Sequence, residues 1–167
     1  MLRRQPLPCL WLMTDERQGE ALWSALERLP KGAGVVFRHY GLPAAERRRL
    51  FERVRKLARR RRLFLLASDD LRGDGIHKGR GNGFWSASAH NLRELKSAER
   101  SGAALVFLSP AFATRSHPGR RPLGPVRFGL ISRQSRVPVI ALGGVDSNNV
   151  RRLPNAYGWA GIDAWSA

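Results

Sequence analysis

Polar residues that could bind anions, metals or protons stand at the carboxyl ends of the predicted strands of this sequence. They comprise Thr14-Asp15, Arg38-His39, Ser68-Asp69-Asp70, His77-Lys78, Ser88, His90, Ser109, Gly143-Gly144 and Asp163. In a parallel barrel the carboxyl ends of all strands surround one mouth, where active sites lie. We therefore expect these residues to share one functional site.

The elements that must position these residues alternate between apolar strands and helices. Strands are predicted at 10–13, 35–37, 63–67, 75–78, 84–89, 103–108, 137–142 and 159–162. Helices are predicted at 19–29, 44–60, 92–101 and 126–133, with one further turn at 148–153. This alternation is typical of α/β proteins with a parallel sheet, and eight strands predict a single (β/α)8 TIM-type barrel domain over residues 1–167.

Two connections are too short for the outer layer of such a barrel. Only residues 68–74 separate the third and fourth predicted strands, and only 79–83 separate the fourth and fifth. A parallel crossover through a helix needs a dozen or more residues. We expect the outer helices to be missing around strands 3–5 and after the last strand. Such a wall would expose apolar sheet surface, and we expect a homodimer partner to cover it.

Composition limits the function classes further. Among 167 residues Cys9 is the single cysteine, which excludes an internal disulfide framework and a cysteine-based zinc site. The single cysteine also leads us to expect a reducing cytoplasm. Apolar runs stay far below the roughly 18 residues of a membrane span, so we expect no membrane partner. The net charge of +17, with arginine as 26 of 30 basic residues, favours an anionic ligand. A coding bias toward arginine is an alternative source of that charge.

Eight segments, in order along the chain, resemble the thiamine phosphate synthase and TenI family. They are Trp11-Leu-Met-Thr-Asp-Glu-Arg, Gly34-Val-Val-Phe-Arg, Ser68-Asp-Asp, Asp74-Gly-Ile-His-Lys-Gly, Ser86-Ala-Ser-Ala-His-Asn, Leu108-Ser-Pro-Ala-Phe-Ala-Thr-Arg-Ser-His, Pro122-Leu-Gly and Val137-Pro-Val-Ile-Ala-Leu-Gly-Gly-Val. The resemblance implies a TIM barrel. It also implies a transferase that joins hydroxymethylpyrimidine diphosphate to thiazole phosphate, with Mg²⁺ assisting the departure of diphosphate.

The resemblance assigns roles to particular residues. Arg38, Asp69 and Ser88 match the catalytic positions: an arginine that meets the diphosphate, a Mg²⁺ ligand and a polar contact to the leaving group. The candidate substrate- and phosphate-binding residues are Arg38, His77, Arg80, Thr114, Ser116, His117, Gly143 and Gly144. For His77 a structural role is the alternative, and for the glycine pair a tight turn.

Several family positions carry a different residue here. These are Tyr40 and His117 for lysines, Ser68 for an asparagine, Asn82 for the second Mg²⁺ aspartate, and Asp163 for a phosphate-binding serine. An amide binds Mg²⁺ less well than a carboxylate does. Pro110 stands where the thiazole-tautomerase branch has its histidine, so that activity is not implied either. Arg80, Arg115, Arg120 and Arg121 could compensate as an arginine-based anion site.

Two other function classes stay open. The substitutions fit a diverged, non-catalytic or TenI-like protein that binds a phosphorylated thiazole or pyrimidine metabolite. The second class is nucleic-acid binding, through ten basic residues of the predicted helix 44–60 and its exit. Apart from Phe51 and Phe64, that run lacks interleaved aromatics, and it shows no recognition motif. The sequence therefore favours a solvated helix face and disfavours a nucleic-acid partner.

Overall fold

The computed structural model describes residues 6–68, 70–80, 83–114 and 119–165, and within them eight parallel strands close into a barrel in chain order. The strands are β1 (Leu10–Met13), β2 (Gly34–Val36), β3 (Phe64–Ala67), β4 (Gly75–His77), β5 (Trp85–Ala89), β6 (Leu105–Leu108), β7 (Val139–Leu142) and β8 (Gly158–Gly161). Closure comes from β8 pairing with β1, where Leu10 lies opposite Trp159 and Leu12 opposite Gly161. The predicted (β/α)8 TIM-type barrel is confirmed.

Helices on the outside of the barrel follow only some of the strands. The α-helices of the described residues are α1 (Ala21–Arg28), α2 (Ala44–Arg61), α3 (Leu92–Arg100) and α4 (Gly124–Ser132), and short 3₁₀ turns occupy Glu16–Gln18, Val150–Arg152 and Asp163–Trp165. The start of α3 is as predicted, because the Asn91 side chain accepts a hydrogen bond from the Glu94 N–H. The predicted helix at 126–133 begins two residues earlier, with Pro125 in its first turn.

The interior and exterior of the barrel follow the two-residue period of the strands. Side chains that point inward form a cluster that fills the barrel: Trp11, Met13, Val36, Leu66, Leu105, Phe107, Ile140 and Ala160. The alternate residues, such as Leu12 and Val106, belong to two outer clusters under the helices. The wall is thus apolar on both faces, as in other parallel barrels.

The connections around β4 contain no α-helix among residues 68, 70–74, 78–80 and 83–84, as the sequence predicts. The exposed apolar wall expected there is absent from the described residues. Leu71, in the connection after β3, is 6% exposed and packs into the cluster outside β2 and β3. Ile76 and Phe84 are half-buried. One buried leucine therefore covers part of the surface that a helix would cover, and the homodimer stays a prediction.

The long helix α2 differs from the sequence expectation at one residue. Arg47 was expected on the solvated basic face, yet it is 8% exposed and lies under the turn that follows β2. Neighbouring cations of α2, such as Arg48 and Arg49, are exposed as expected. Within the described residues, no helix combines the length and the apolar character that a membrane span requires.

The close approach of β1 and β2 gives the first prediction. Gly34 lies opposite Trp11, and a Cβ at Gly34 would stand 2.2 Å from Trp11 Cε3. Gly34→Ala should lower the free energy of unfolding by about 1–3 kcal/mol, the usual cost of overpacking a core. Urea denaturation monitored by circular dichroism measures this.

A second substitution provides the control. Trp11→Phe removes ring atoms from the point of collision. The double variant should therefore lose less stability than the sum of the losses in Gly34→Ala and Trp11→Phe. Additive losses would show that the collision does not cause the destabilisation.

Candidate functional site

A cavity of about 400 Å³ opens at the carboxyl ends of the strands. The residues that surround it come from β2, β5, β6, β7 and β8 and include Arg38, His90, Thr114, Arg120, Gly144 and Asp163. Elements that are far apart in sequence thus meet at one mouth because the barrel is closed.

The glycine pair after β7 shapes one side of this cavity. Gly143 has φ 93° and Gly144 φ 63°, backbone conformations that favour glycine. A Cβ on Gly144 would stand 2.2 Å from the Ala113 carbonyl oxygen. The Phe112 N–H donates to the Gly143 carbonyl at 2.9 Å, which fixes the chain after β6 against the pair. Both the tight turn and the close approach therefore require glycine here.

A hydrogen-bonded loop holds the glycine pair in place. The Asp146 carboxylate accepts from the N–H groups of Asn148 and Asn149 at 2.8 and 2.9 Å. The Asn149 side chain returns a hydrogen bond to the Gly144 carbonyl at 2.8 Å. The N–H groups of Gly144 and Val145 donate to no residue that the structure describes. Two backbone donors of a rigid loop are thus available at the cavity, an arrangement that suits an anion.

Arg38 stands at the end of β2 in a fixed orientation. Its Nε–H donates to the Thr14 carbonyl at 2.8 Å, and Nη2 donates to Asp15 at 3.0 Å. Burial lowers the pKa of Arg38, the charge of Asp15 opposes this shift, and arginine stays cationic in proteins. Nη1 makes no hydrogen bond within the described part of the chain. One edge of the guanidinium is thus anchored, and the other can meet a ligand.

A second opening lies on the other side of Arg38. This cavity, of about 550 Å³, is lined by Thr14, Glu16, Tyr40 and other residues that follow β1 and β2, and Arg38 lines both cavities. A salt bridge of 2.7 Å joins Asp15 to Arg17 at the same edge. The hydrogen bond from Arg17 lowers the pKa of Asp15, so this carboxylate is ionised when it holds Arg38.

His39, next to Arg38, helps to form the turn that carries it. Its ring is buried, stacks on Phe37 at 5.0 Å and lies 3.0 Å from Thr14 Oγ1 through Nδ1. Burial lowers the pKa of His39, so the ring is neutral near pH 7. Its φ of 39° is left-handed, a conformation that the stacking and the hydrogen bond hold in place.

The charges around the first cavity are mixed. Arg38 and Arg120 line it together with Asp146 and Asp163. Asp146 is bound within its own loop, whereas Asp163 is exposed at the start of the 3₁₀ turn after β8. A carboxylate at this position opposes a phosphate, and the two arginines favour one.

The sequence-predicted residues divide into three groups. Arg38, Thr114, Gly143 and Gly144 meet at the first cavity. Ser88, His77 and Arg80 are not among its described lining residues: Ser88 is half-buried on β5, and Arg80 is exposed after β4. Asp69, Asn82, Arg115, Ser116 and His117 lie outside the described residues.

His77, the last residue of β4, is enclosed and is not among the described lining residues of the first cavity. It is 4% exposed, its Nδ1 is 2.8 Å from Ser86 Oγ, and its ring contacts the Phe107 ring. Burial, followed by the charges of Lys78 and Arg38, lowers the pKa of His77 to about 3. A neutral, enclosed imidazole favours the structural alternative over a contact to phosphate.

Sequence reasoning missed three residues that support the site. Arg47 belongs to a run of basic residues in the sequence, but its acceptors are in the turns that follow β2 and β3. Asp146 and Asn149 were not singled out. The Asp-x-x-Asn spacing that begins two residues after Gly144 was a usable signal, because such side chains fold back onto nearby N–H groups.

The described residues contain no group of three histidine, cysteine or carboxylate side chains that could hold a metal ion. Asp70 already accepts hydrogen bonds from Arg47 and Ser68. Mg²⁺ commonly takes one or two carboxylates and completes its shell with substrate phosphate oxygens and water. A metal ligand at Asp69 therefore stays a prediction.

Comparison with known proteins gives consistent results. The family model described as thiamine monophosphate synthase matches residues 80–166. "Putative thiamine-phosphate synthase 2" of Aquifex aeolicus is 32% identical over 179 residues, which cover 93% of this chain and 96% of the relative. The thiamine-phosphate synthase of Chloroflexus aurantiacus is 28% identical and covers 95% of this chain and 83% of the relative. The solved thiamine phosphate pyrophosphorylase from Pyrococcus furiosus has a TM-score of 0.78 at 24% identity, over 96% of this chain and 88% of that one.

The buried imidazole of His77 gives the second prediction. Because its pKa is about 3 in the folded chain and 6.5 as the unperturbed value, only the unfolded chain binds this proton between those pH values. Stability should therefore fall with decreasing pH below 6.5, by roughly 1 kcal/mol per pH unit from this group. In ¹⁵N NMR spectra at pH 5 the His77 ring should show the neutral pattern. An imidazolium pattern at pH 5 would contradict this description of the barrel interior.

Proposed function

This chain belongs to the thiamine monophosphate synthase family, and we propose that it carries out the reaction of that family. It joins hydroxymethylpyrimidine diphosphate to thiazole phosphate, and the products are thiamine phosphate and diphosphate. The observation that carries the proposal is the position of Arg38, one cation that lines two adjoining cavities at the barrel mouth.

Arg38 is placed to receive the diphosphate of the pyrimidine substrate. In the reaction the bond between the substrate methylene carbon and the diphosphate oxygen breaks, and the thiazole nitrogen forms a bond to that carbon. Negative charge accumulates on the leaving diphosphate. A guanidinium already fixed by Thr14 and Asp15 neutralises this charge without reorganising during the reaction.

The loop at Gly144 is the proposed site for thiazole phosphate. The N–H groups of Gly144 and Val145 can donate to phosphate oxygens, and the Asp146–Asn149 hydrogen bonds keep the loop in shape. Thr114 lines the same cavity and can add a hydroxyl contact. This arrangement would hold the thiazole beside the methylene carbon, so the two reactants need not collide from solution.

Mg²⁺ is the cofactor that we propose for the departing diphosphate, with Asp69 as its protein ligand. When bound, the ion supplies positive charge to the diphosphate oxygens. The amide of Asn82 replaces a family carboxylate, so we expect the substrate to provide a larger share of the ligands.

The alternative function is binding of a phosphorylated thiazole or pyrimidine without turnover. Asp163 favours this alternative, because a carboxylate at the cavity weakens the hold on a phosphate. Tyr40 favours it as well, because it supplies no cation where the family has a lysine. Binding without product formation would distinguish this alternative from the enzyme.

The third prediction tests the enzymatic function. The purified protein with both substrates and Mg²⁺ should produce thiamine phosphate, detected by chromatography. Arg38→Ala should lower kcat/KM by about 100- to 1,000-fold, the usual effect of removing one donor to a developing anion. Arg133→Ala, an exposed change after α4, is the control and should leave the rate unchanged. Ligand binding without product from folded wild-type protein would favour the non-catalytic alternative.

The fourth prediction separates the two substrate sites. Gly144→Ala places a Cβ against the Ala113 carbonyl at a strained φ, so the loop must move. KM for thiazole phosphate should rise by about tenfold, equal to about 1.4 kcal/mol of binding free energy. KM for the pyrimidine diphosphate should stay the same.

A matched glycine distinguishes the collision from backbone strain. Gly102 has φ 89°, and a Cβ there meets nothing within 4 Å. Gly102→Ala therefore carries a backbone penalty at the opposite end of the barrel without disturbing the cavity. An equal rise of KM in both variants would refute the role given to the Gly144 loop.

A further inference from the structure

Arg47 is the buried cation of α2, whose other basic residues are exposed or half-buried. It lies in the first turn of α2, and its side chain is 10% exposed. A charged side chain is seldom buried without partners. The partners that Arg47 has in this fold indicate what it does.

Each nitrogen of the Arg47 guanidinium donates to a different acceptor. Nε donates to the Arg38 carbonyl at 3.1 Å, and Nη2 donates to Ser68 Oγ at 2.8 Å. Nη1 donates to both Asp70 oxygens, at 3.1 and 3.3 Å. The planar fork therefore connects the turn after β2 with the turn after β3.

Two aromatic rings and one ion pair hold the guanidinium in this position. Its central carbon lies 5.6 Å from the Phe37 ring centroid and 5.2 Å from the Tyr40 ring centroid, within cation–π range. Ser68 Oγ also donates to Asp70. The Asp70 carboxylate lies 3.1 Å from Nη1, so the charge of Arg47 is paired.

Of the two turns that Arg47 connects, the turn after β2 lines both cavities, whereas Ser68 and Asp70 are not among their described lining residues. The first carries Arg38, whose own carbonyl accepts from Arg47 while its guanidinium faces the cavities. In the second, Ser68 and Asp70 flank Asp69 in the sequence. Loss of the Arg47 guanidinium would leave the Arg38 carbonyl without this donor. It would also remove the hydrogen bonds that connect the turn after β2 with the turn after β3.

We propose that Arg47 is a positioning residue for the diphosphate half of the site. It holds the Arg38 turn against the turn after β3, so that the Arg38 guanidinium keeps its position at the cavities where we propose that the diphosphate binds. It does not touch the substrate. This inference rests on the proposed function for its substrate and on the observed contacts for its geometry.

Steady-state kinetics of Arg47→Ala and Arg47→Lys test the proposal. Both should raise KM for the pyrimidine diphosphate by on the order of tenfold, as loss of a supporting contact commonly does. KM for thiazole phosphate should not change. Lysine keeps the charge but cannot reach three acceptors, so it should not restore KM. The control is Arg48→Lys, one residue along on the exposed face, which should match the wild type.

Two outcomes would overturn the proposal. A purely structural role would lower the melting temperature and leave both KM values unchanged when assayed well below that temperature. Full restoration by Arg47→Lys would show that charge alone matters.

Binding of inorganic diphosphate tests the role of Arg47 independently of the proposed reaction. Calorimetric binding needs no turnover, so it applies even when the wild type forms no thiamine phosphate. Arg47→Ala should weaken diphosphate binding by on the order of tenfold, and Arg48→Ala should not. Wild-type protein that fails to bind inorganic diphosphate, or Arg47→Ala that binds it as well as wild type, would overturn the proposal.

Discussion

The hydrogen bonds between β8 and β1 turn a parallel sheet into a closed barrel, and the geometry of the site depends on that closure. The barrel interior must be filled by side chains, so Trp11 occupies space beside Gly34 and Phe107. Closure also brings the residues after β2, β6, β7 and β8 around one cavity. Because the barrel is closed, an arginine, a glycine turn and a carboxylate from distant segments of the chain lie at the same cavity.

Electrostatics at the mouth are arranged around one anchored arginine. Asp15 compensates part of the charge of Arg38 and fixes its direction, while Arg47 supports the backbone of the same turn from below. The result is a cation with little freedom, which loses little conformational entropy on binding an anion. The glycine turn after β7 contributes backbone donors of equally low freedom. Two rigid groups of donors at one mouth suit the proposed reaction, in which one substrate carries a diphosphate and the other a phosphate.

Much of the architecture could be predicted from the sequence, because strand ends and short connections leave clear signals. The absence of helices around β4 could be predicted from the length of the connections alone. The start of β2 was missed by one residue, because the pairing of Gly34 with Trp11 depends on the tertiary fold. The prediction of an exposed apolar wall was wrong because Leu71 packs against the sheet, and this packing depends on the tertiary fold.

Within the site, the residues that line the cavity were easier to predict than the residues that hold them in place. Arg38 and the glycine pair stand at strand ends, where position alone suggests a role. The role of Arg47 could not be read from a run of arginines, because its acceptors lie at the ends of two strands. Asp146 and Asn149 could have been found from their spacing, since both act through local hydrogen bonds.

The most direct test of this account is a crystal structure of the protein with thiamine phosphate and diphosphate. The account predicts the phosphate of thiamine phosphate against the N–H groups of Gly144 and Val145, with diphosphate against the guanidinium of Arg38. Both ligands bound elsewhere, or a phosphate excluded from the cavity by Asp163, would contradict it.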